Sequence, residues 1–407
     1  MSDRLSRPAA TARGHNLYSS RLEWDRRQNR ISELRDRKRR ERAAVLDLTQ
    51  SNPTQADIPY PSSTLDALCD PRALVYEPDP AGLRSAREAV SGYYAARGLD
   101  IAADSIVLTA STSEAYSHLF KLLTDPGDNV LTPRPSYPLF DFLAGLDSAH
   151  AASYPLRYDF GWSIDFEMLE MAATPRTRAV VVVNPNNPAG CFLKLRERTR
   201  LGGFCAARGL AIVSDEVFSD YAFEPDAARV ATLAGAEDVL TFSLNGLSKI
   251  CGLPQMKLGW IVVSGPSVEA SRAVERLELI SDTYLSVAAP VQHALAALLE
   301  TGAGIRAAIA ARTRDNLLWL RDSLQSSAFH VLGVEGGWCA TIRAPRIRSE
   351  EEWTLELLER HNVLVQPGFF FDFDDEAYLV VSLLTPPGEF REGVSRLLLL
   401  ARDVSNP

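Results

Sequence analysis

The chain has 407 residues, of which 46% are hydrophobic and 23% are charged, and its formal net charge at pH 7 is −9. The length is large for a single domain, and the hydrophobic fraction is ordinary for a soluble globular protein. The chain has no run of eighteen apolar residues that could cross a bilayer. Its acidic net charge argues against bulk nucleic-acid binding. The five cysteines lack CxxC spacing and no apolar stretch follows the first charges, so we expect a cytoplasmic protein without disulfides, metal or secretion signal.

The N-terminal fifty residues carry one strongly basic run, RDRKRRER at 35–42, with six basic and two acidic residues. We interpret this run as a solvated helix face rather than a nucleic-acid site. Residues 1–50 are expected to pack with the C-terminal part of the chain.

Between residues 105 and 265, short β-branched runs alternate with segments long enough to hold helices. The runs are SIVLTA (105–110), NVLTP (129–133), RAVVVVNP (178–185), LAIVSDE (210–216), VLTFSLNG (239–246) and LGWIVVSG (258–265). Continuous apolar strands of this kind are buried on both faces, which predicts a largely parallel α/β sheet. Ligands of such sheets bind beyond the carboxyl ends of the strands.

After about residue 290 the pattern changes to a long helical stretch. The strand-like pieces FHVLGV, WCATIRA, VLVQPG and YLVVSLLT follow it, together with one strong helix, SEEEWTLELLERH. This part is typical of an α+β domain. We predict an N-terminal segment (1–50), a large domain (51–290) and a small C-terminal domain (291–407).

Several predicted strands end in polar residues that suit a ligand. TASTSEAYSHLFKLL places hydroxyl residues where a strand passes into a helix, which predicts a phosphate site, although helix capping explains the same residues. NPNNPAG (184–190) is a Pro-punctuated turn, and turn chemistry alone would also explain it. Asp215 ends an apolar strand and needs a partner, for which a structural salt bridge is the alternative. Lys249 follows a serine in a Gly-rich turn.

In this order, the four strand ends resemble the class I and II aminotransferases, which are pyridoxal-phosphate (PLP) enzymes of the aspartate aminotransferase fold. The resemblance runs from about residue 50 to 400 and includes YEPDPAGLRSAREAVSGYY, DPGDNVLTPRPSYP, NPNNPAG, SDEVF, SK and LGW. It implies an α/β fold, in which a large PLP-binding domain with a mostly parallel seven-stranded sheet is joined by a smaller α+β domain built from both chain ends.

The resemblance also assigns roles to single residues. Lys249 matches the lysine that forms the Schiff base with the cofactor, and Asp215 matches the aspartate that pairs with the pyridine nitrogen. Asn187 matches the asparagine at the ring oxygen, and Tyr137 the aromatic residue stacked on the ring. We expect Lys249, Asp215 and Tyr137 to be catalytic. The expected phosphate contacts are Ser111, Thr112, Ser113, Ser248 and Lys257, with Tyr76 reaching the site of the neighbouring subunit, which implies a homodimer.

The sequence departs from the family pattern at four positions. Lys257 stands where the family usually has arginine, Gly246 where it usually has serine, and Phe218 where it usually has a tyrosine that holds the ring oxygen. An arginine that binds the substrate carboxylate is expected near Val380. We therefore expect the carboxylate to be held elsewhere, by backbone N–H groups of SNPT (51–54) or by a relocated cation, or the substrate to be recognised through a larger group.

The function that this resemblance implies is transfer of an amino group between an amino acid and a 2-oxo acid, by ping-pong half-reactions on PLP. Elimination, replacement or cyclisation on the same cofactor is the alternative, because fold and cofactor do not fix the reaction type. A non-catalytic aminotransferase-like effector domain of a transcription factor is a further alternative. It would need a DNA-binding module, for which the fifty residues upstream of the match are short.

Overall fold

A computed structural model describes residues 17–24, 27–375 and 377–405 of the chain. The helices are α1 (Arg30–Arg40), α2 (Ser63–Asp66), α3 (Arg84–Ala95), α4 (Thr112–Leu123), α5 (Phe140–Leu146), α6 (Phe166–Ala172), α7 (Leu195–Arg208), α8 (Leu247–Ile250), α9 (Ser267–Asp282), α10 (Ala289–His293), α11 (Leu295–Leu324), α12 (Glu350–His361) and α13 (Pro387–Ser405). The strands are β1 (Leu46–Asp47), β2 (Ile106–Thr109), β3 (Asn129–Arg134), β4 (His150–Tyr158), β5 (Trp162–Ile164), β6 (Thr177–Val183), β7 (Ala211–Asp215), β8 (Thr241–Gly246), β9 (Gly259–Ser264), β10 (His330–Val331), β11 (Cys339–Arg343), β12 (Val363–Leu364), β13 (Gln366–Pro367) and β14 (Tyr378–Ser382).

The main sheet has eight strands in the order β2-β9-β8-β7-β6-β3-β4-β5. Its central pairings, from β8 through β7, β6 and β3 to β4, are parallel, whereas β9 is antiparallel to both of its neighbours and β5 is antiparallel to β4. The α/β prediction is confirmed, and each of the six apolar runs contains one strand. The sheet has eight strands rather than seven, because β4 and the short β5 extend one edge, where partly exposed residues interrupt the apolar pattern.

Both faces of the main sheet are buried, as its continuous apolar runs predict. Along β6, Ala179 and Val181 join the apolar cluster on one face, and Val180 and Val182 join the cluster on the other. Helices cover each face: α4 and α9 contribute to the first cluster, and α6 and α7 to the second. The loops that carry the polar strand ends are therefore mounted on a rigid base.

The C-terminal part holds an antiparallel sheet in the order β10-β11-β14-β13. Its core contains Leu379 and Val381 of β14, together with residues of α11, α12 and α13. The N-terminal segment packs here as well, because β1 pairs with β12 and α1 lies against α12. The domain boundaries at residues 50 and 290 stay a prediction.

Helix α1 contains most of the basic run. Ile31 and Leu34 are buried, and the Lys38 ammonium donates to the Glu359 carbonyl at 2.6 Å, while most of the other basic side chains of the run are exposed. The run is thus the outer face of a packed helix.

In the part of the chain that is described, no helix is long and apolar enough to cross a membrane.

Candidate active site

The polar strand ends meet at one edge of the main sheet. Strands β2, β6, β7 and β8 run in the same direction, so their carboxyl ends lie together. The register fixes this alignment, because Gly259 at the start of β9 pairs with Thr109 on one side and with Gly246 on the other. The segments that follow these strands carry Ser111, Asn187 and Lys249, whereas Asp215 is the last residue of β7.

The Lys249 ammonium lies in an aromatic pocket. Its Nζ is 4.8 Å from the centre of the Trp338 ring and 5.5 Å from that of Phe218, and the Tyr221 hydroxyl donates to the Lys249 carbonyl at 2.5 Å. Burial lowers the pKa of Lys249, and the smaller opposing effects of Cys339 and Asp215 do not offset it. A neutral, nucleophilic amine is therefore easier to form here than on the protein surface.

Asp215 is the carboxylate nearest to the centre of this arrangement. The Tyr116 hydroxyl donates to its Oδ2 at 3.1 Å, and the Val217 backbone N–H donates to Oδ1 at 3.2 Å. Burial raises the pKa of Asp215 to about 6, although both hydrogen bonds and Lys249 act in the opposite direction. Among the described residues no lysine or arginine forms a salt bridge with it, so the alternative of a structural ion pair is not observed.

The neighbouring Glu216 is a structural group. Its carboxylate accepts from the hydroxyls of Ser214 (2.8 Å) and Thr232 (2.5 Å) and from the Leu233 N–H (2.8 Å). Burial raises its pKa to about 7. Asn245, two residues before Leu247, donates to the Glu216 carbonyl at 3.1 Å, which ties the end of β8 to the end of β7.

The three asparagines of the turn after β6 differ in whether their side-chain amides form hydrogen bonds within the protein. The Asn184 side chain bonds the Val230 carbonyl and the Leu193 N–H, and the Asn186 side chain bonds the Pro135 carbonyl and the Ala189 N–H. Asn187 is half-buried, and its side chain makes no hydrogen bond to any described residue. Asn187 is thus the amide of this turn that is available to a ligand.

The turn before α4 is a helix cap in the structure. The Ser111 hydroxyl accepts from the Glu114 N–H at 3.2 Å, so capping, the alternative to a phosphate contact, accounts for this side chain. The Glu114 carboxylate accepts from the Ala110 N–H and from the Ser286 hydroxyl, both at 2.6 Å. Thr112 is half-buried and Ser113 is exposed. Phosphate binding by Ser111, Thr112 and Ser113 stays a prediction.

Glycines allow this turn to approach the segment that carries Lys249, which runs from Gly246 at the end of β8 through α8 and is called the lysine loop below. A Cβ on Gly259 would lie 3.3 Å from the Ser111 carbonyl carbon and 3.1 Å from the Asn245 carbonyl oxygen. A Cβ on Gly246 would lie 2.8 Å from the Gly259 Cα. A side chain at either position would push the lysine loop away from the helix start.

The remaining predicted residues occupy three different places. Tyr137 is 40% exposed and close enough to Asp215 for that carboxylate to add to the burial effect that raises the Tyr137 pKa. Ser248 is half-buried, and Lys257 is exposed with a left-handed backbone (φ 50°). Tyr76 is 78% exposed and borders a surface cavity of about 180 Å³, together with residues such as His118 and Gln292, rather than Lys249.

Two contacts of this site were not predicted from the sequence. Tyr116 lies on the inner side of α4 between the buried Ala115 and Leu119, and a buried tyrosine in such a stripe needs an acceptor, which here is Asp215. Trp338 precedes β11 and comes from the opposite end of the sequence. The only feature of the sequence that could have indicated a role for Trp338 is the Gly-Gly pair before it, and such a pair is weak evidence.

The position of Val380 agrees with the departure noted in the sequence. Val380 is buried in the middle of β14, with Thr341 of β11 and Gln366 of β13 as its cross-strand partners. Three uncharged side chains therefore stand where a carboxylate-binding arginine was expected.

Comparisons with known proteins agree with this geometry. Residues 45–397 match the model of the family described as aminotransferase class I and II. The chain is 32% identical over 254 residues to the glutamate-pyruvate aminotransferase AlaA of Escherichia coli K12, and the match spans 62% of each chain, less than two thirds of that relative. It is 28% identical to the alanine aminotransferase of Mycobacterium tuberculosis H37Rv, over 87% of this chain and 84% of the relative.

A solved structure has the same architecture over nearly the whole chain. The crystal structure of an aminotransferase from Escherichia coli superposes with a TM-score of 0.82 at 26% sequence identity, and it covers 96% of this chain and 98% of its own. Because the family model matches most of the residues, the chain belongs to the class I and II aminotransferases.

Proposed function

We propose that this protein is a PLP-dependent aminotransferase that exchanges an amino group between an amino acid and a 2-oxo acid in two half-reactions. The observation that carries the proposal is the placement of a desolvated lysine, Lys249, and a half-buried carboxylate, Asp215, at the same sheet edge, where Asp215 has no cationic partner among the described residues. The names of the relatives that match the chain support the same reaction class.

The residues present fit PLP group by group. Asp215 is a half-buried acid whose described hydrogen-bond donors are neutral, and a protonated pyridine nitrogen would supply the positive charge that pairs with it. The amide of Asn187 is available for the ring oxygen, and Tyr137, which is 40% exposed and near Asp215, is the aromatic residue that we propose for stacking on the ring. Ser111, Thr112, Ser113, Ser248 and Lys257 are the residues that we propose for the phosphate. When bound, PLP supplies an electron-accepting ring that stabilises negative charge on the substrate carbon.

Lys249 is the residue that we propose to move the proton. Its neutral Nζ can accept a proton from the substrate Cα, because burial has already lowered the cost of losing its own. The Trp338 and Phe218 rings exclude water from Nζ, and the face of Trp338 stabilises the ammonium once it has formed. Phe218 offers no hydroxyl, so Asn187 alone is proposed at the ring oxygen.

We also propose a homodimer in which Tyr76 reaches the active site of the partner subunit. Leu74 is 90% exposed and Tyr76 78%, which is unusual for two apolar side chains this close in sequence. A cytoplasmic location is supported by the cysteines, all five of which are free, including the exposed Cys69.

A direct test incubates the PLP-loaded protein with single amino acids in the presence of a 2-oxo acid and follows new 2-oxo acid, new amino acid and ammonia. Transfer predicts new 2-oxo acid and new amino acid in equal amounts without ammonia. Release of ammonia in step with the 2-oxo acid would instead favour elimination, and no product with any amino acid would contradict the proposal.

Labelling identifies the lysine. Borohydride should attach the cofactor covalently to Lys249, and Lys249→Ala should lower turnover by at least about a thousandfold, because nucleophile and proton carrier are lost together. Lys257→Ala is the matched control, since it removes a lysine eight residues away and should leave the label in place. Label on another lysine would contradict the assignment.

A further inference from the structure

One wall of the active site is the small sheet, and its two faces are chemically different. Ala340 and Ile342 of β11 and Leu379 and Val381 of β14 point into the small-domain core. Because side chains alternate along a strand, Cys339, Thr341, Val380 and Ser382 point to the opposite face.

One end of this opposite face lies beside Lys249. Cys339 lies close enough to Lys249 for each to affect the pKa of the other, and Trp338, the residue before it, lies over the Lys249 ammonium. At the other end, Tyr378 belongs to the same apolar cluster as Ala189 of the turn that carries Asn187. The middle of the face therefore lies between Lys249 and the Asn187 turn.

The middle of this face is a row of three uncharged side chains. Cross-strand pairing places Thr341, Val380 and Gln366 side by side, since Val380 is the partner of both others. The Thr341 hydroxyl is buried and has no hydrogen-bond partner among the described residues. A buried hydroxyl without a partner is costly and calls for a ligand or a water. Gln366 is half-buried and adds an amide on the other side of Val380.

Two alternatives for binding the carboxylate, the SNPT stretch and Arg312, are largely engaged in hydrogen bonds of their own. In the SNPT stretch, the Asn52 N–H donates to Gln50 Oε1 at 2.9 Å, the Thr54 N–H donates to Asn52 Oδ1 at 3.1 Å, and Pro53 has no N–H. The Arg312 guanidinium, close to the same loop, donates to the Ala56 and Leu384 carbonyls at 2.9 and 3.4 Å.

We propose that Thr341 and Gln366 bind the α-carboxylate of the substrate by uncharged hydrogen bonds, on either side of Val380. This inference rests on the proposed function and names binding residues for it. An arginine would discriminate strongly for a carboxylate, because it offers both charge and two parallel donors. A hydroxyl and an amide can each donate or accept, so they serve a carboxylate and a carboxamide almost equally.

The test uses 2-methylalanine and its carboxamide, which have no proton on Cα and therefore bind without being transaminated. Their affinities for the PLP-loaded protein are read from the cofactor absorbance. The native protein should bind the two within about tenfold of each other, and Thr341→Val and Gln366→Leu should each weaken both by about tenfold. Thr341→Ser keeps the hydroxyl and should bind both as the native protein does. Val380→Arg should tighten binding of the acid alone.

Three results would overturn the inference: a preference of more than about a hundredfold for the acid in the native protein, unchanged affinities in both Thr341→Val and Gln366→Leu, or no binding of either probe. Thr341→Val removes an unpartnered buried hydroxyl at nearly constant volume, so a folded variant is expected, and its thermal melt verifies this. Borohydride labelling of Lys249 and the product analysis judge the proposed function without the probes. Once both succeed, the probe affinities judge the inference.

Discussion

Asp215 shows how one residue couples the stability of the protein to its cofactor. Its carboxylate is half-buried beside a tyrosine hydroxyl and a backbone N–H. Both are weaker partners for an anion than a cation would be. The cofactor-free protein therefore holds the Asp215 carboxylate in surroundings that stabilise its charge poorly. A cationic ligand beside Asp215 would remove this free-energy cost.

This cost predicts a pH-dependent effect of Asp215→Asn on the cofactor-free protein. Burial raises the pKa of Asp215 to about 6 in the folded state, above its ordinary value, so ionisation destabilises the fold above pH 6 and the penalty fades as the pH falls towards 4. The asparagine variant carries no such penalty. It should be more stable than the native protein at pH 8, by at most about 3 kcal/mol, and equally stable at pH 4.

Thermal or urea unfolding at the two pH values measures this difference. The same variant should hold PLP at least about tenfold more weakly, since it loses a charge-assisted bond to the cofactor. A variant that is less stable than the native protein at pH 8, or one that retains the cofactor normally, would contradict this account of Asp215.

The residues of the site were predictable to different degrees. Lys249, Asp215 and Asn187 stand directly at the ends of apolar runs, so sequence order alone places them at one sheet edge. Tyr116 and Trp338 contact Asp215 and Lys249 across 99 and 89 positions of the chain. No local pattern encodes a contact of that range, and a tyrosine in an apolar helix stripe is most often a core residue.

At the scale of elements, the contact between β8 and β9 positions the lysine loop. Gly246 ends β8 opposite Gly259, and the two backbones are closer than any side chain permits. The backbone of Gly246 is extended (φ 172°), so the reason for glycine here is space rather than conformation.

Gly246→Ala should therefore destabilise the protein, by about 1–3 kcal/mol, and displace Lys249. The nearest atoms, the Gly259 Cα and the Leu258 carbonyl oxygen, belong to the backbone and cannot rotate away. Gly203→Ala in α7 is the matched control, because a Cβ there meets nothing within 4 Å and alanine favours the helix by about 0.5–1 kcal/mol. The free energies of unfolding of both variants measure the effect. If the two variants were equally stable, the claim that a Cβ at Gly246 clashes with the backbone of β9 would be wrong.

The elements that the sequence did not predict are short or partly exposed. The apolar runs from 105 to 265 predict strands because both faces of each are buried. Strand β4 has a single buried residue among partly and fully exposed positions, and β1 has only two residues. Tertiary pairing creates such strands, so hydrophobic periodicity carries little information about them.

At the scale of the molecule, the exposed segment around Tyr76 needs an explanation. Leu74, Val75 and Tyr76 are 90, 57 and 78% exposed, and a single chain leaves their apolar surface in water. Burial of this segment in a dimer would remove that surface from water and would bring Tyr76 to the second active site. We expect the particle in solution to have twice the 44.7 kDa mass of one chain.

Mixed dimers test whether Tyr76 serves the partner subunit. Tyr76→Ala and Lys249→Ala should each inactivate the homodimer, but a hybrid with one copy of each contains one site in which Lys249 from one chain meets Tyr76 from the other. When the two chains carry different tags and the hybrid is purified by both, it should recover about half of the native activity per dimer. Tyr137→Ala provides the control, since Tyr137 lies near Asp215 of its own chain and its hybrid with Lys249→Ala should stay as inactive as the parents. A Tyr76 hybrid that is equally inactive would show that Tyr76 acts within its own chain, whereas a fully active Tyr76→Ala homodimer would show that Tyr76 has no role in the site.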